Sequence, residues 1–154
     1  MPRIKLITDR KSIDDVINRC EVCFVAMVDK EQKPYVLPFN FGYQGNTIFL
    51  HCGPEGKKLN ILRLNPEVCI AFSTDHELRR QDPDVACSYG MKYRSVIATG
   101  KVEFIDNSDK KQDILNIIMK KYTGREFSFN APSIREVVVF KVEIENISGK
   151  VSGY

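Results

Sequence analysis

Residues 22–72 read VCFVAMVDKEQKPYVLPFNFGYQGNTIFLHCGPEGKKLNILRLNPEVCIAF, and this stretch decides the fold. Its opening, residues 22–28, is apolar and strand-like, and the polar run 29–33 (DKEQK) predicts a turn. Residues 34–43 (PYVLPFNFGY) are aromatic-rich, with Pro38 in their middle. Proline has no N–H for a ladder, so this strand lies at an edge, carries a bulge or faces a ligand at that point. Gln44-Gly45-Asn46 predicts a tight hairpin loop and residues 47–52 a returning strand. Strands joined by such short turns exclude a regular parallel βαβ sheet and favour a small antiparallel barrel with flanking helices. Closure removes the exposed edges that an open sheet would present.

The flanking sequence extends this plan. Ser12-Ile-Asp-Asp15 has the form of a capping box and predicts a helix over 13–19. Residues 57–64 predict a helix with Leu59, Leu62 and Ile61 inward, stopped by Asn65-Pro66. A strand over 68–73 leads into a polar loop, 75–84, and residues 93–104 form a long alternating strand that Gly100 bends or bulges. Residues 107–122 predict a helix with Ser108 as its cap and Ile114, Leu115, Ile117, Ile118 and Tyr122 on its apolar face; Gly124 ends it. A last strand is expected over 135–144. With no internal repeat or linker, residues 1–154 are expected to form a single, mainly β domain.

Composition narrows the class. The 154 residues are 43% hydrophobic and 28% charged, ordinary for a water-soluble domain, and no apolar run approaches the length of a membrane span. A net charge of +3 with dispersed basic residues argues against a nucleic-acid partner. The polar start, MPRIKLITDRKSIDD, is unlike a secretory signal, so a cytoplasmic location is expected. Five cysteines, an odd number at irregular spacing, argue against a disulfide framework. Cys20-Glu-Val-Cys23 leads into a strand rather than opening a helix, and no second close pair completes a zinc site, so inert buried thiols are expected.

Lys57 and Lys58 stand at the wrong end of their helix. A helix start carries partial positive charge and favours acids. Either the two lysines form a solvated surface pair, or an anion sits at the helix start, met by backbone N–H groups freed by Gly53 and Gly56 and by the lysine charges. A phosphate on a small cofactor is the natural candidate. Neither a Walker A loop nor a G-x-G-x-x-G motif is present.

The order of these pieces resembles the FMN-binding split barrels related to pyridoxamine 5′-phosphate oxidase. Within them it is most similar to the flavin-nucleotide-binding branch that includes the nitroimidazole-resistance (Nim-type) proteins. The resemblance is carried by residues 38–43 (PFNFGY), 50–58 (LHCGPEGKK), 64–69 (LNPEVC), 87–104 (CSYGMKYRSVIATGKVEF) and 148–150 (SGK). It implies a six-stranded antiparallel barrel and a homodimer with FMN in the groove between subunits. Gly56, Lys57 and Lys58 would then hold the phosphate, Lys58 foremost. Val36, Leu37, Pro38 and Asn40 would lie against the isoalloxazine ring, offering backbone groups. Tyr93, Arg94 and Ser95 would add a cation and hydroxyls near the phosphate or ribityl chain, from either subunit. Residues 76–93 would border the open face of the ring, where specificity is set.

The chemistry implied is that of a flavin, which carries hydride or single electrons while the protein binds and tunes it. His51 falls close to the expected ring. It serves either as an acid for a reducing nitro group or only as a hydrogen-bonding contact to flavin or backbone. Arg94 either stabilises the reduced flavin or joins a structural ion pair with a nearby acid. Tyr89, Tyr93, Phe39 and Phe41 stack on a flat substrate or fill a subunit interface. Two functions follow. One is an FMN-dependent oxidoreductase acting on small nitroaromatic compounds such as 5-nitroimidazoles, with another protein as electron donor because no nicotinamide motif is present. The alternative is a non-catalytic flavin carrier or redox sensor. Pyridoxamine phosphate oxidation is not expected, since no counterpart of that enzyme's substrate-phosphate residues is found.

Overall fold

The computed structural model describes residues 3–154. The chain runs β1 (Ile4–Ile7), α1 (Arg10–Arg19), β2 (Cys23–Val28), β3 (Pro34–Phe39), β4 (Gly42–Gln44), β5 (Thr47–Cys52), α2 (Lys57–Leu64), β6 (Glu67–Arg79), β7 (Gly90–Ile105), α3 (Ser108–Thr123), α4 (Ala131–Glu136) and β8 (Val138–Ser152). A 3-10 turn over Ala86–Ser88 lies between β6 and β7.

All strand pairings are antiparallel, in the order β3-β2-β6-β7-β8-β5-β4, and β1 adds to β8. β3 and β4 end this order on opposite sides, yet only Asn40 and Phe41 separate them in the chain. Three Cα steps span at most about 11 Å. The sheet therefore has to curl until its ends nearly meet, and it forms a split barrel. The Tyr122 hydroxyl holds the crossing, accepting from Phe41 N at 3.1 Å and donating to Glu21 O at 2.6 Å. Six strands have six residues or more; β1 and β4, with four and three, are short additions to the expected six-stranded barrel.

Alternation sorts the side chains. Val25 and Met27 of β2, Ile48 and Leu50 of β5, Ile70 and Phe72 of β6, and Val96 and Ala98 of β7 fill the interior. Ile13, Val16 and Ile17 of α1 and Leu59, Ile61 and Leu62 of α2 join that core. A second cluster outside the barrel packs Ile114, Leu115 and Ile118 of α3 and Ile134 of α4 against Val139 of β8. At Gly100, where the β7–β8 register slips as expected, a Cβ would lie 2.5 Å from Glu143 O; only glycine admits that approach.

Several local expectations are corrected. The first helix is capped by Asp9, whose carboxylate accepts from Ser12 N at 2.9 Å, so Ser12 lies inside the first turn. Asn107, not Ser108, caps α3, accepting from Lys110 N at 3.0 Å. Residues 34–43 form two strands, because the chain crosses the barrel split at Asn40–Phe41. The polar segment 75–79 is strand, held by its β7 ladder. Residues 135–136 belong to α4, which Asn130 caps, and β8 then runs on to Ser152 because β7 and β1 pair with it. Ladder pairing there overrides weak local propensity.

Cys20, Cys23 and Cys52 are buried, and Cys69 and Cys87 are exposed. Burial pushes the Cys23 thiol up to about 12, as an inert core thiol requires. Among the described residues no helix is long and apolar enough to cross a membrane.

Candidate functional site

Helix α2 begins uncapped. Gly56 precedes it at φ 143°, a glycine conformation, and no side chain accepts from the free N–H groups of the first turn. A Cβ on Gly56 would meet nothing within 4 Å, so the space over the helix start is open. No acid lies in that turn, and among the described residues neither Lys57 nor Lys58 joins an ion pair. Both reach toward β3 instead. Lys57 Nζ lies 4.4 Å from the Tyr35 ring centre and Lys58 Nζ 5.8 Å from that of Phe39. The structure thus brings the two lysines onto β3 on the side of Tyr35 and Phe39, opposite to the outward side chains of Val36 and Pro38. β3 ladders with β2 alone, so its second edge keeps unpaired backbone groups, and Pro38 sits in that edge strand as expected for a residue without a donor.

Along β3, Val36 and Pro38 point away from the core, while Phe39 is buried in it and Tyr35 and Leu37 pack against it. The ladders put Pro38, Phe24, Ala71 and Ile97 in one outward row and Val36, Ala26, Cys69 and Thr99 in the next. This face is apolar and open: Val36 is 56% exposed, Phe24 47% and Ile97 41%. Tyr93 and Ser95 lie on the same side of β7 as Ile97. They are three strand spacings from β3, about 14 Å. Asn40 follows β3, with Nδ2 3.4 Å from Glu21 O. Phe24, Ala71 and Ile97 were not singled out from sequence, because alternation alone does not say which outward positions remain uncovered.

Arg94 has the opposite parity to Tyr93 and Ser95. Its Nη1 donates to Asp75 Oδ2 at 2.8 Å, Arg19 Nη2 donates to the same oxygen at 2.8 Å, and the guanidinium stacks 3.9 Å from the Tyr154 ring centre. Burial pushes the Asp75 carboxyl up, but the hydrogen bonds and charges of Arg94 and Arg19 outweigh it and hold the group below its ordinary value. Of the two roles open to Arg94, the structure displays the ion pair.

His51 pairs with Val139 in the β5–β8 ladder and so shares the side of the sheet occupied by α3 and α4. Its Nδ1 is buried without a hydrogen-bond partner, and burial lowers its pKa. The neighbouring positions Leu50 and Cys52 face the barrel core instead. The structure does not bring His51 onto the face of Val36, Pro38, Tyr93 and Ser95.

Comparison with known proteins agrees with this architecture. The family model described as pyridoxamine 5′-phosphate oxidase matches residues 9–151. A candidate 5-nitroimidazole antibiotic resistance protein from Bacteroides thetaiotaomicron is similar over 99% of this chain and 90% of its own, with 42% identity and a TM-score of 0.89. A FAD- and haem-binding protein from Mycobacterium smegmatis (20% identity, 97% of this chain and 74% of that one, TM-score 0.84) has the same fold. So does a FAD-binding protein from Mesorhizobium loti (18% identity, 100% of both chains, TM-score 0.70). No curated protein matches. The chain belongs to the pyridoxamine 5′-phosphate oxidase family of split-barrel proteins.

Proposed function

We propose that this protein binds FMN and uses it to reduce small nitroaromatic compounds, 5-nitroimidazoles among them. The observation that carries the reading is the pair of unmatched lysines at the open, uncapped start of α2, beside the free edge of β3. A phosphate dianion there reverses the local sign and accounts for cations at a helix N-terminus. The 42% identity to a candidate nitroimidazole resistance protein supports the choice of substrate.

In this reading Lys57, Lys58 and the first-turn N–H groups of α2 hold the phosphate. The free edge of β3 offers backbone donors and acceptors to the polar rim of the ring. Bound flavin would supply the hydride or single electrons. Two copies of the chain meet through the outward rows of β3, β2, β6 and β7, which covers Phe24, Val36 and Ile97 and excludes water from the site. Tyr93 and Ser95 lie on that same face, within reach of a cofactor held between copies. Another protein serves as electron donor.

The test is the visible spectrum of the purified protein, followed by release and chromatography of its chromophore. Bound FMN and turnover of a 5-nitroimidazole with a reductant support the reading; a colourless protein that takes up no added FMN overturns it. A second reading, a flavin carrier without turnover, is favoured by one observation. His51, the acid expected from sequence, is half-buried on the side of α3 and α4 with its Nδ1 fully sheltered, where protonation is disfavoured. Tight flavin binding without nitro turnover would select it.

A further inference from the structure

Ser73 and His76 are three residues apart on β6, and in a regular strand such residues point to opposite faces. Here they touch, with Ser73 Oγ 2.6 Å from His76 Nε2. The contact arises where the β6–β7 register slips between Thr74 and Glu77. Asp75, inside the slip, has φ 58°, a left-handed conformation that residues with a Cβ adopt at a cost. It is held from several sides. Arg94 and Arg19 each donate to its carboxylate at 2.8 Å, and the Tyr154 hydroxyl donates to its backbone carbonyl at 2.6 Å. A bulge of this kind re-aims the side chain that follows it. The outcome is an imidazole turned onto the outward face, against a serine whose register partner is Ser95.

We propose that Ser73 and His76 form a proton-delivery pair for a reduction carried out on this face, with Asp75, Arg94, Arg19 and Tyr154 as positioning residues. The proposal rests on the flavin reading above. Reduction of a nitro group needs protons on its oxygens as well as electrons, and an exposed imidazole is the side chain that exchanges them near neutral pH. In the step, the Nε2–H bond of the His76 imidazolium breaks as Ser73 Oγ takes that proton. The former Ser73 hydroxyl proton passes to a nitro oxygen and forms one O–H bond. Only protons move; the imidazole is left neutral and regains its proton from solvent beyond the covered rows of Phe24, Val36 and Ile97, where His76 is exposed. The electrons come from reduced flavin. Nearby charges are already matched, Glu77 with Lys92 at 3.5 Å and Asp75 with the two arginines, and Tyr93 is the titratable neighbour on the outward side of β7.

The chain has two histidines, so the imidazole region of a proton–carbon NMR spectrum holds two sets of signals, which His76→Gln assigns. FMN added to the full chain is expected to move the His76 signal, and Ser73→Ala to move it without flavin. His76→Gln and Ser73→Ala should keep FMN affinity yet lose on the order of 10²-fold in kcat/KM for a 5-nitroimidazole. Asp75→Asn should displace the pH–rate profile. FMN that saturates the protein without moving the His76 signal, or turnover with an unchanged rate and pH profile in both variants, overturns the pair and leaves the flavin reading intact. A chain that takes up no flavin, or takes it up without reducing a nitro compound, overturns both.

Discussion

Arg94 Nη1 lies 2.8 Å from Asp75 Oδ2, and that contact ties the first part of β7 to the one left-handed residue of β6. Both side chains are mostly sheltered, at 30% and 24% exposure, so the pair is worth more than an open surface bridge. Arg94→Ala should lower the free energy of unfolding by about 1.5–3 kcal/mol, the scale of a hydrogen bond to a charged group. Urea denaturation checks this, and a midpoint equal to that of the parent chain would contradict it.

The same pair sets a pH dependence. The folded-state pKa of Asp75 lies below its ordinary value, so the unfolded chain holds its proton more readily. Its contribution is complete above the ordinary carboxylate range and is lost as pH falls through the folded value. Thermal melts from pH 6 downward should show this loss in the parent protein, and a smaller one in Asp75→Asn.

Lys58→Ala should weaken FMN binding by on the order of 1–3 kcal/mol, roughly a fivefold to 150-fold rise in Kd. Folding stability should hardly change, since among the described residues Lys58 has no ion pair to lose. Flavin fluorescence titration measures the first and denaturation the second. Unaltered affinity in both Lys57→Ala and Lys58→Ala would remove the phosphate from the start of α2.

His51 carries a buried, unpartnered Nδ1 and a pKa lowered by burial. Its folded pKa is below the unfolded one, so stability is complete above the ordinary histidine value near 6.5 and is lost as pH falls through the folded value. His51→Leu should abolish that loss and, by removing an unsatisfied polar atom, leave stability at pH 7 unchanged or higher by about 1 kcal/mol. A variant destabilised at pH 7 would point to a hydrogen-bonded role for the imidazole.

Phe24→Glu and Ile97→Glu place charge on the open apolar face without entering the barrel core. Light scattering should find the parent chain as two copies and each variant as one, with unaltered circular dichroism. Flavin affinity should fall in parallel. A monomeric parent would show that this face is not where copies meet.

The apolar and aromatic runs within residues 22–52 and the hairpin turns between them announced an antiparallel barrel, and Pro38 in mid-strand announced an edge, a bulge or a ligand, because composition and proline chemistry are local properties. Lys57 and Lys58 announced themselves for the same reason: the field at a helix start depends only on the backbone around it. Gly100 marked its bulge, since a missing Cβ is legible wherever it occurs. Other features had no local signal. The end of β8, residues 145–152 (ENISGKVS), holds few residues that favour strands, and its ladders with β7 and β1 make it one. His51 read as a cofactor contact because its position along β5 was legible, whereas its side of the sheet depended on where α3 and α4 pack. Arg94 and His76 depended on Asp75, whose left-handed backbone is held by residues 56, 19 and 79 positions away. Sequence by itself determined the hairpin-linked strands, the break at Pro38 and the cationic helix start, each governed by interactions within a few residues. Tertiary structure alone decided which side chains share a face, because curling the sheet and slipping one register are settled by contacts between distant segments.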